Sequence, residues 1–337
     1  MKNINVRQRT FYSNRNFSKA DYRNVFIFQH SLFEEEPVRI SKTREGKEKF
    51  TTPAKKILND KKSKMYFDLL VKGNFDVNDY FISLSYSEKF LPETEEEAEK
   101  IIKKYIRELR KEARKRGIKN LKYIYVTEVG AKNGRIHHHM ILENCLPRDL
   151  VEDLWSKQVR PFHPERERLG WANVKRIQVA VPALEKENRK KRNGPDYMIR
   201  VSRYMVKRSE VQPGKRRWKQ STGLVLPGTS KADGICSLKQ FEQMSLFEGT
   251  SFEASNTELV KFVKKHHKGF VVTDMRREYN EFTGKFYISL QLMRKNVYMR
   301  SMSLFSEKQM TELEAAERFV PPIIPEYRIN GTQGRLW

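Results

Sequence analysis

Polar and apolar positions alternate over Asp79–Tyr86 (DYFISLSY), Tyr123–Glu128 (YIYVTE) and Arg135–Glu143 (RIHHHMILE). A period of two, rich in aromatic and β-branched residues, predicts strands. Gly130 to Gly134 is turn material, so the second and third strands form a hairpin. Between the first strand and the hairpin, Ala98, Ile101, Ile102, Tyr105, Leu109 and Ala113 fall on one helical stripe. Thr94 with Glu97 gives that helix a capping box, acids crowd its start, bases its end, and Gly117 stops it. Pro147–Gln158 predicts a second helix with Trp155 as a core anchor. Trp171–Val181 predicts another strand, and Asp196–Ser209 a helix opening after Pro195. The order is strand, long helix, hairpin, helix, strand, helix. It predicts an α+β fold, an antiparallel β-sheet with helices packed on one face and the other face left to carry a site.

The flanks are less patterned. Residues 1–52 read as a basic N-terminal extension, weakly structured alone, with Val25–Phe28 as one short strand. Residues 53–228 hold the patterned elements, preceded by helical stretches at Pro53–Asn59 and Met65–Val71. Residues 229–337 form a C-terminal extension with a short helix at Asn256–Lys265 and a β-hairpin from Phe270–Tyr279 and Lys285–Met293. His266 and His267 lie in a basic run and read as solvated.

Charge narrows the partner. Lys plus Arg number 67 against 42 Asp plus Glu, a formal net charge of +25. An excess of that size points to a polyanion. No long apolar run or signal peptide is present, so neither a membrane nor secretion is expected. Two cysteines far apart, Cys145 and Cys236, make no disulfide framework and suit a reducing, cytoplasmic setting. Arg216, Arg217 and Lys219 around Trp218 suit a phosphate backbone, although a surface loop with one buried tryptophan has the same composition.

The hairpin carries the candidate chemistry. Alternation puts His137, His139 and Ile141 on one face and Ile136, His138, Met140 and Leu142 on the other. Glu128 ends the partner strand within reach. Two imidazoles and a carboxylate make a three-ligand site for a divalent metal with positions left open. A solvated histidine cluster is the plain alternative. On the last helix Tyr204 and Lys207 are i and i+3 and share a face. A tyrosine phenolate can attack a phosphodiester, and a nearby ammonium can stabilise it. Taken alone, such a pair occurs by chance in many helices.

Together these segments resemble a known family. His137-His138-His139-Met140-Ile141-Leu142 resembles the HUH motif, Tyr204-Met-Val-Lys207 the tyrosine motif that follows it, and Phe81-Ile-Ser-Leu-Ser-Tyr86 the first motif. The chain is similar to rolling-circle replication initiators of the HUH endonuclease superfamily. More narrowly it resembles replication-associated proteins of phages, plasmids and integrated elements of Gram-positive bacteria. That rests on Leu58-Asn-Asp-Lys61, TEVG at Thr127–Gly130, GRIHHH at Gly134–His139 and KRRWKQSTGL at Lys215–Leu224. The resemblance covers about residues 53 to 228.

It implies an enzyme that binds single-stranded DNA or an origin hairpin and nicks one strand with Mg²⁺ or Mn²⁺. The enzyme stays attached to the 5′ phosphate and leaves a 3′ hydroxyl for a host polymerase. Carried over, His137, His139 and Glu128 are metal ligands, Tyr204 the nucleophile and Lys207 its basic neighbour. Tyr197, two helical turns earlier, is a possible second nucleophile, with packing or substrate contact as the alternative. No Walker A pattern occurs, so a host helicase would supply unwinding. A transposase or relaxase with the same chemistry, a non-catalytic nucleic-acid-binding module and a phosphodiesterase using metal-activated water remain competing readings. The sequence does not specify an oligomeric state.

Overall fold

The structure, a computed structural model, describes residues 4–31, 53–130, 134–158, 165–177, 198–207, 216–245, 257–280 and 285–303. Tyr197 and Lys215 lie outside the described residues, as does everything after Ser303. The chain divides into two compact units. One comprises residues 74–178 and 198–224; the other comprises 1–73, 179–197 and 225–337.

The first unit has the expected α+β architecture. Its sheet is built from β3 (Tyr80–Leu84), β4 (Tyr123–Val129), β5 (Ile136–Leu142), β8 (Ala172–Arg176) and β9 (Lys219–Gln220). They run in the order β8-β3-β5-β4-β9, with every pair antiparallel. Helix α2 (Glu95–Lys115) packs on one face. Ala98, Ile102, Tyr105, Ile106, Leu109 and Ala113 are buried there against Ile82, Leu84, Tyr125 and Met140. Ile106 takes a core place that the predicted stripe gave to Ile101, which is only half-buried. Thr94 caps the helix by accepting from the Glu97 N–H at 3.2 Å. At the other end Gly117 takes a φ of +80°, and the Ile118 N–H reaches back to Ala113 O at 3.0 Å.

The second predicted helix of this unit is shorter than its sequence suggests. It spans α3 (Arg148–Asp153), after which the chain extends into β6 (Ser156–Gln158), paired with β7 (Arg166–Arg168). Trp155 breaks the helix by turning wholly into the core, where its indole N–H donates to Ser85 O at 2.9 Å. Helix α4 (Met198–Val206) completes the unit. Its Tyr204 ring meets Phe81, on the face turned away from α2, so that face is not bare.

The second unit corrects the expectation for both flanks. The N-terminal segment is not a weakly structured extension, and the helix at its end does not group with the site-bearing residues. Strands β1 (Ile4–Tyr12) and β2 (Tyr22–Ser31) share a sheet with β10 (Gly228–Asp233), β11 (Phe270–Asn280) and β12 (Lys285–Arg294), in the order β10-β1-β2-β12-β11. Val25 pairs with Leu290 and Arg9 with Lys231. Helices α5 (Leu238–Ser245) and α6 (Thr257–His266) bury Phe241, Met244, Leu259 and Phe262 against Val25, Ile27, Ile288 and Leu290. Helix α1 (Pro53–Lys72) places Leu69 with Tyr22 and Met293, residues of the opposite strand parity. A short helix, α7 (Lys295–Ser303), follows β12.

His267 is also corrected. It is buried rather than solvated. Its Nδ1 faces the Arg23 guanidinium at 3.4 Å, and Arg23 itself lies between the Phe17 and Phe270 rings at 3.8 and 3.9 Å. His266, its neighbour, is exposed.

Candidate active site

Register decides which side chains meet. Glu128 is directly opposite His137, and His139 lies between Val126 on one side and Ser83 on the other. One ligand atom each from Glu128, His137 and His139 falls within 4.8 Å of the others. His137 Nε2 is 3.6 Å from Glu128 Oε2.

Neighbouring groups orient both rings. His137 Nδ1 lies 3.3 Å from Arg135 O, a carbonyl that can only accept, so Nδ1 carries the proton and Nε2 faces the carboxylate. His139 Nδ1 is 3.1 Å from Ser83 Oγ, which leaves its Nε2 for the site. Burial, and then His137 nearby, hold the His139 pKa down to about 4, so this imidazole is neutral at pH 7 with a lone pair to offer. Glu128 Oε1 is buried and has no hydrogen-bond partner. An orphaned carboxylate oxygen beside two neutral-capable imidazoles fits a divalent cation and little else.

His138 points the other way, as alternation requires. It is fully buried, with Nε2 2.7 Å from the Tyr86 hydroxyl and Nδ1 2.9 Å from Thr127 Oγ1. Burial drives its pKa down to about 3. It is a satisfied core histidine under α2 and takes no part in the triad.

Tyr204 stands over the triad. Its ring meets His139 edge-on, with centroids 5.0 Å apart, and Phe81 at 5.9 Å. Phe81 in turn stacks on His139 at 5.6 Å. The Tyr204 side chain is nevertheless 54% exposed, so a strand of substrate can reach it. Lys207 sits one residue beyond α4, exposed, and its backbone N–H donates to Tyr204 O at 3.4 Å. Tyr197 lies outside the described residues.

Trp171 is a residue that the sequence reading passed over as the start of a strand. It is 73% exposed, the most open large apolar side chain among those described. Its carbonyl accepts from the Ser85 N–H at 2.9 Å, one step beyond the pairing of Ala172 with Leu84. Ala172 and Val174 pack into the core under α2, so alternation turns Trp171 to the face of Ser83 and His139. Gly170 makes the approach possible, since a Cβ there would lie 2.2 Å from Ser85 O. The signal in the sequence was the pair Gly-Trp at a strand start, which is too common to single out.

Arg216, Arg217, Trp218 and Lys219 are elsewhere. With Glu96, Glu99, Tyr125 and Thr127 they line a hollow on the α2 side of the sheet. Lys219 Nζ is 2.6 Å from Glu99 Oε2, and the Trp218 indole donates to Gln220 Oε1 at 3.0 Å. The triad and this cluster occupy opposite faces of one sheet.

Residues 79–209, from β3 through α4, match the family of replication-associated protein ORF2. The matched span holds Glu128, His137, His139, Trp171, Tyr204 and Lys207. No curated protein and no solved structure gives a significant match. No described helix is long and apolar enough to cross a membrane.

Proposed function

We propose that this chain is a metal-dependent DNA nicking–joining endonuclease that starts rolling-circle replication. The observation that carries the reading is Tyr204 edge-on to His139, beside a Glu128–His137–His139 triad, within a segment similar to replication-associated proteins. A divalent cation held by the triad, Mg²⁺ or Mn²⁺, would polarise the scissile phosphate and draw charge from it in the transition state.

The chain's own residues supply the rest. The Tyr204 oxygen attacks phosphorus, forming one P–O bond while the bond to the 3′ oxygen breaks. The phenol proton leaves to solvent and the departing 3′ oxygen takes one up. The products are a 5′-phosphotyrosine and a free 3′-OH. Lys207 favours the phenolate by its positive charge. One phosphoester bond replaces another, so a later 3′-OH can reverse the step and reseal the strand. Trp171 offers an exposed ring on the same face, on which a base next to the scissile phosphate can stack. A bacterial cytoplasm, with a host helicase and polymerase as partners, is the setting that this reaction implies.

The test is a denaturing gel with single-stranded DNA from the element's own origin and Mn²⁺. The wild type gives a protein–DNA adduct; Tyr204→Phe, His137→Ala and EDTA each abolish it. Cleavage without an adduct would assign the attack to water. An adduct that persists in Tyr204→Phe and vanishes in Tyr197→Phe would move the nucleophile.

A further inference from the structure

On the α2 side of the same sheet lies an open groove of about 830 Å³. Its floor is Tyr123 and Tyr125, and its walls are α2 and the edge strand β9. Lys100, Lys104, Arg107 and Arg110 come from α2, and Arg216 and Lys219 from the β9 side. Lys103 adds a further cation, and Glu99 is the only carboxylate among the lining residues. Helical spacing brings the α2 cations onto one stripe about 15 Å long.

Most of this charge is not neutralised. Glu99 is shared between Lys219 at 2.6 Å and Lys103 at 3.3 Å. The Arg110 guanidinium donates to the Tyr123 hydroxyl at 2.9 Å. Lys100, Lys104, Arg107 and Arg216 have no carboxylate partner among the described residues. A surface kept soluble by charge alone mixes the two signs. A one-sided groove of this kind repels itself, and a polyanion relieves that repulsion.

We propose that this groove holds the phosphate backbone of a nucleic-acid strand at a site separate from the metal triad. Its cations grip consecutive phosphates, and the aromatic floor excludes water without reading bases. The strand is thus anchored on one face of the sheet while the chemistry occurs on the other. The proposal stands apart from the nicking reading, because binding in EDTA requires no cleavage.

The experiment is fluorescence anisotropy of the full chain in EDTA across a salt series. The probes are a labelled single strand and a labelled duplex, neither carrying origin sequence. The variants are Lys104→Gln/Arg107→Gln and, as an equal charge loss in the other unit, Lys264→Gln/Lys265→Gln; melting curves confirm that both fold. Two lost phosphate contacts lower the slope of log K against log salt by about 1.4 for a single strand and about 1.8 for a duplex. A fall confined to the single strand, or to the duplex, or shared by both, identifies which backbone the groove takes. Equal effects of the two variant pairs on both probes would overturn the groove. Should the first pair fail to fold, Lys100→Gln/Arg216→Gln replaces it.

Discussion

Tyr204 lays its ring edge-on against His139, with centroids 5.0 Å apart, so the candidate nucleophile and a candidate metal ligand touch although they lie on different elements. The contact is through the ring, not the hydroxyl. Tyr204→Phe therefore keeps the fold and Mn²⁺ affinity near wild type while losing the covalent adduct. Isothermal titration with Mn²⁺ alongside the gel checks this. A variant that loses metal binding together with the adduct would assign Tyr204 a structural part instead.

Glu128 keeps a buried oxygen without a partner. An unsatisfied buried acceptor costs about 1–3 kcal/mol, and sites kept for function commonly trade stability in this way. Glu128→Gln is expected to raise the melting temperature of the metal-free protein by a few degrees and to remove the shift produced by Mn²⁺. A drop in the metal-free melting temperature with the Mn²⁺ shift retained would show that the carboxylate serves the fold.

His138 separates the two faces in a different way. Truncation to Ala leaves the Tyr86 hydroxyl and Thr127 Oγ1 without their shared partner and opens a cavity. His138→Ala is expected to lose about 2–4 kcal/mol in urea unfolding while Mn²⁺ affinity changes less than about tenfold, the scale at which removing a supporting group shows. A larger loss of metal affinity would place His138 in the site.

Trp171 is open where base stacking would be useful. Stacking on an aromatic ring contributes about 1–3 kcal/mol per base. Trp171→Ala should raise KM for single-stranded DNA about tenfold with kcat little changed, and Trp171→Phe should recover most of it. An unchanged KM would leave Trp171 without a substrate contact.

His267 makes the second unit sensitive to acid. Burial, then the Arg23 charge, lower its pKa to about 4, below the unfolded value near 6.5. The unfolded chain takes up the proton first. Its contribution is therefore fully present above about pH 6.5 and is lost as pH falls toward 4. Stability should drop between pH 7 and pH 5 by more in wild type than in His267→Gln, read from urea midpoints at both pH values. Equal drops would assign the acid sensitivity to other groups.

The site-bearing unit was largely legible because its strands obey clean alternation and its long helix is capped at both ends. His137 and His139 share a face for no reason but the pleat, and Glu128 meets them because the turn fixes register. The other unit was hidden. In β1 the inward positions are Val6, Gln8, Thr10 and Tyr12, and the polar pair satisfies itself by a Gln8–Thr10 hydrogen bond at 3.0 Å. Its strand partners come from the far end of the chain, which local pattern cannot supply. Strand β10 is nearly all exposed and carries no hydrophobic signature. His267 was misread because the run of lysines around it, Lys264, Lys265 and Lys268, points outward while its own ring turns in.

The pairing of Val25 with Leu290 sets an order of events during synthesis. A ribosome delivers β1 and β2 first, yet the inner edge of β2 stays unpaired until β12 has emerged. By then every residue of the site-bearing unit, which ends at Leu224, has already left the tunnel and can fold. A chain stopped early would carry a finished triad and an unfinished first hairpin, whose bare edge is a place for aggregation or for a chaperone to hold.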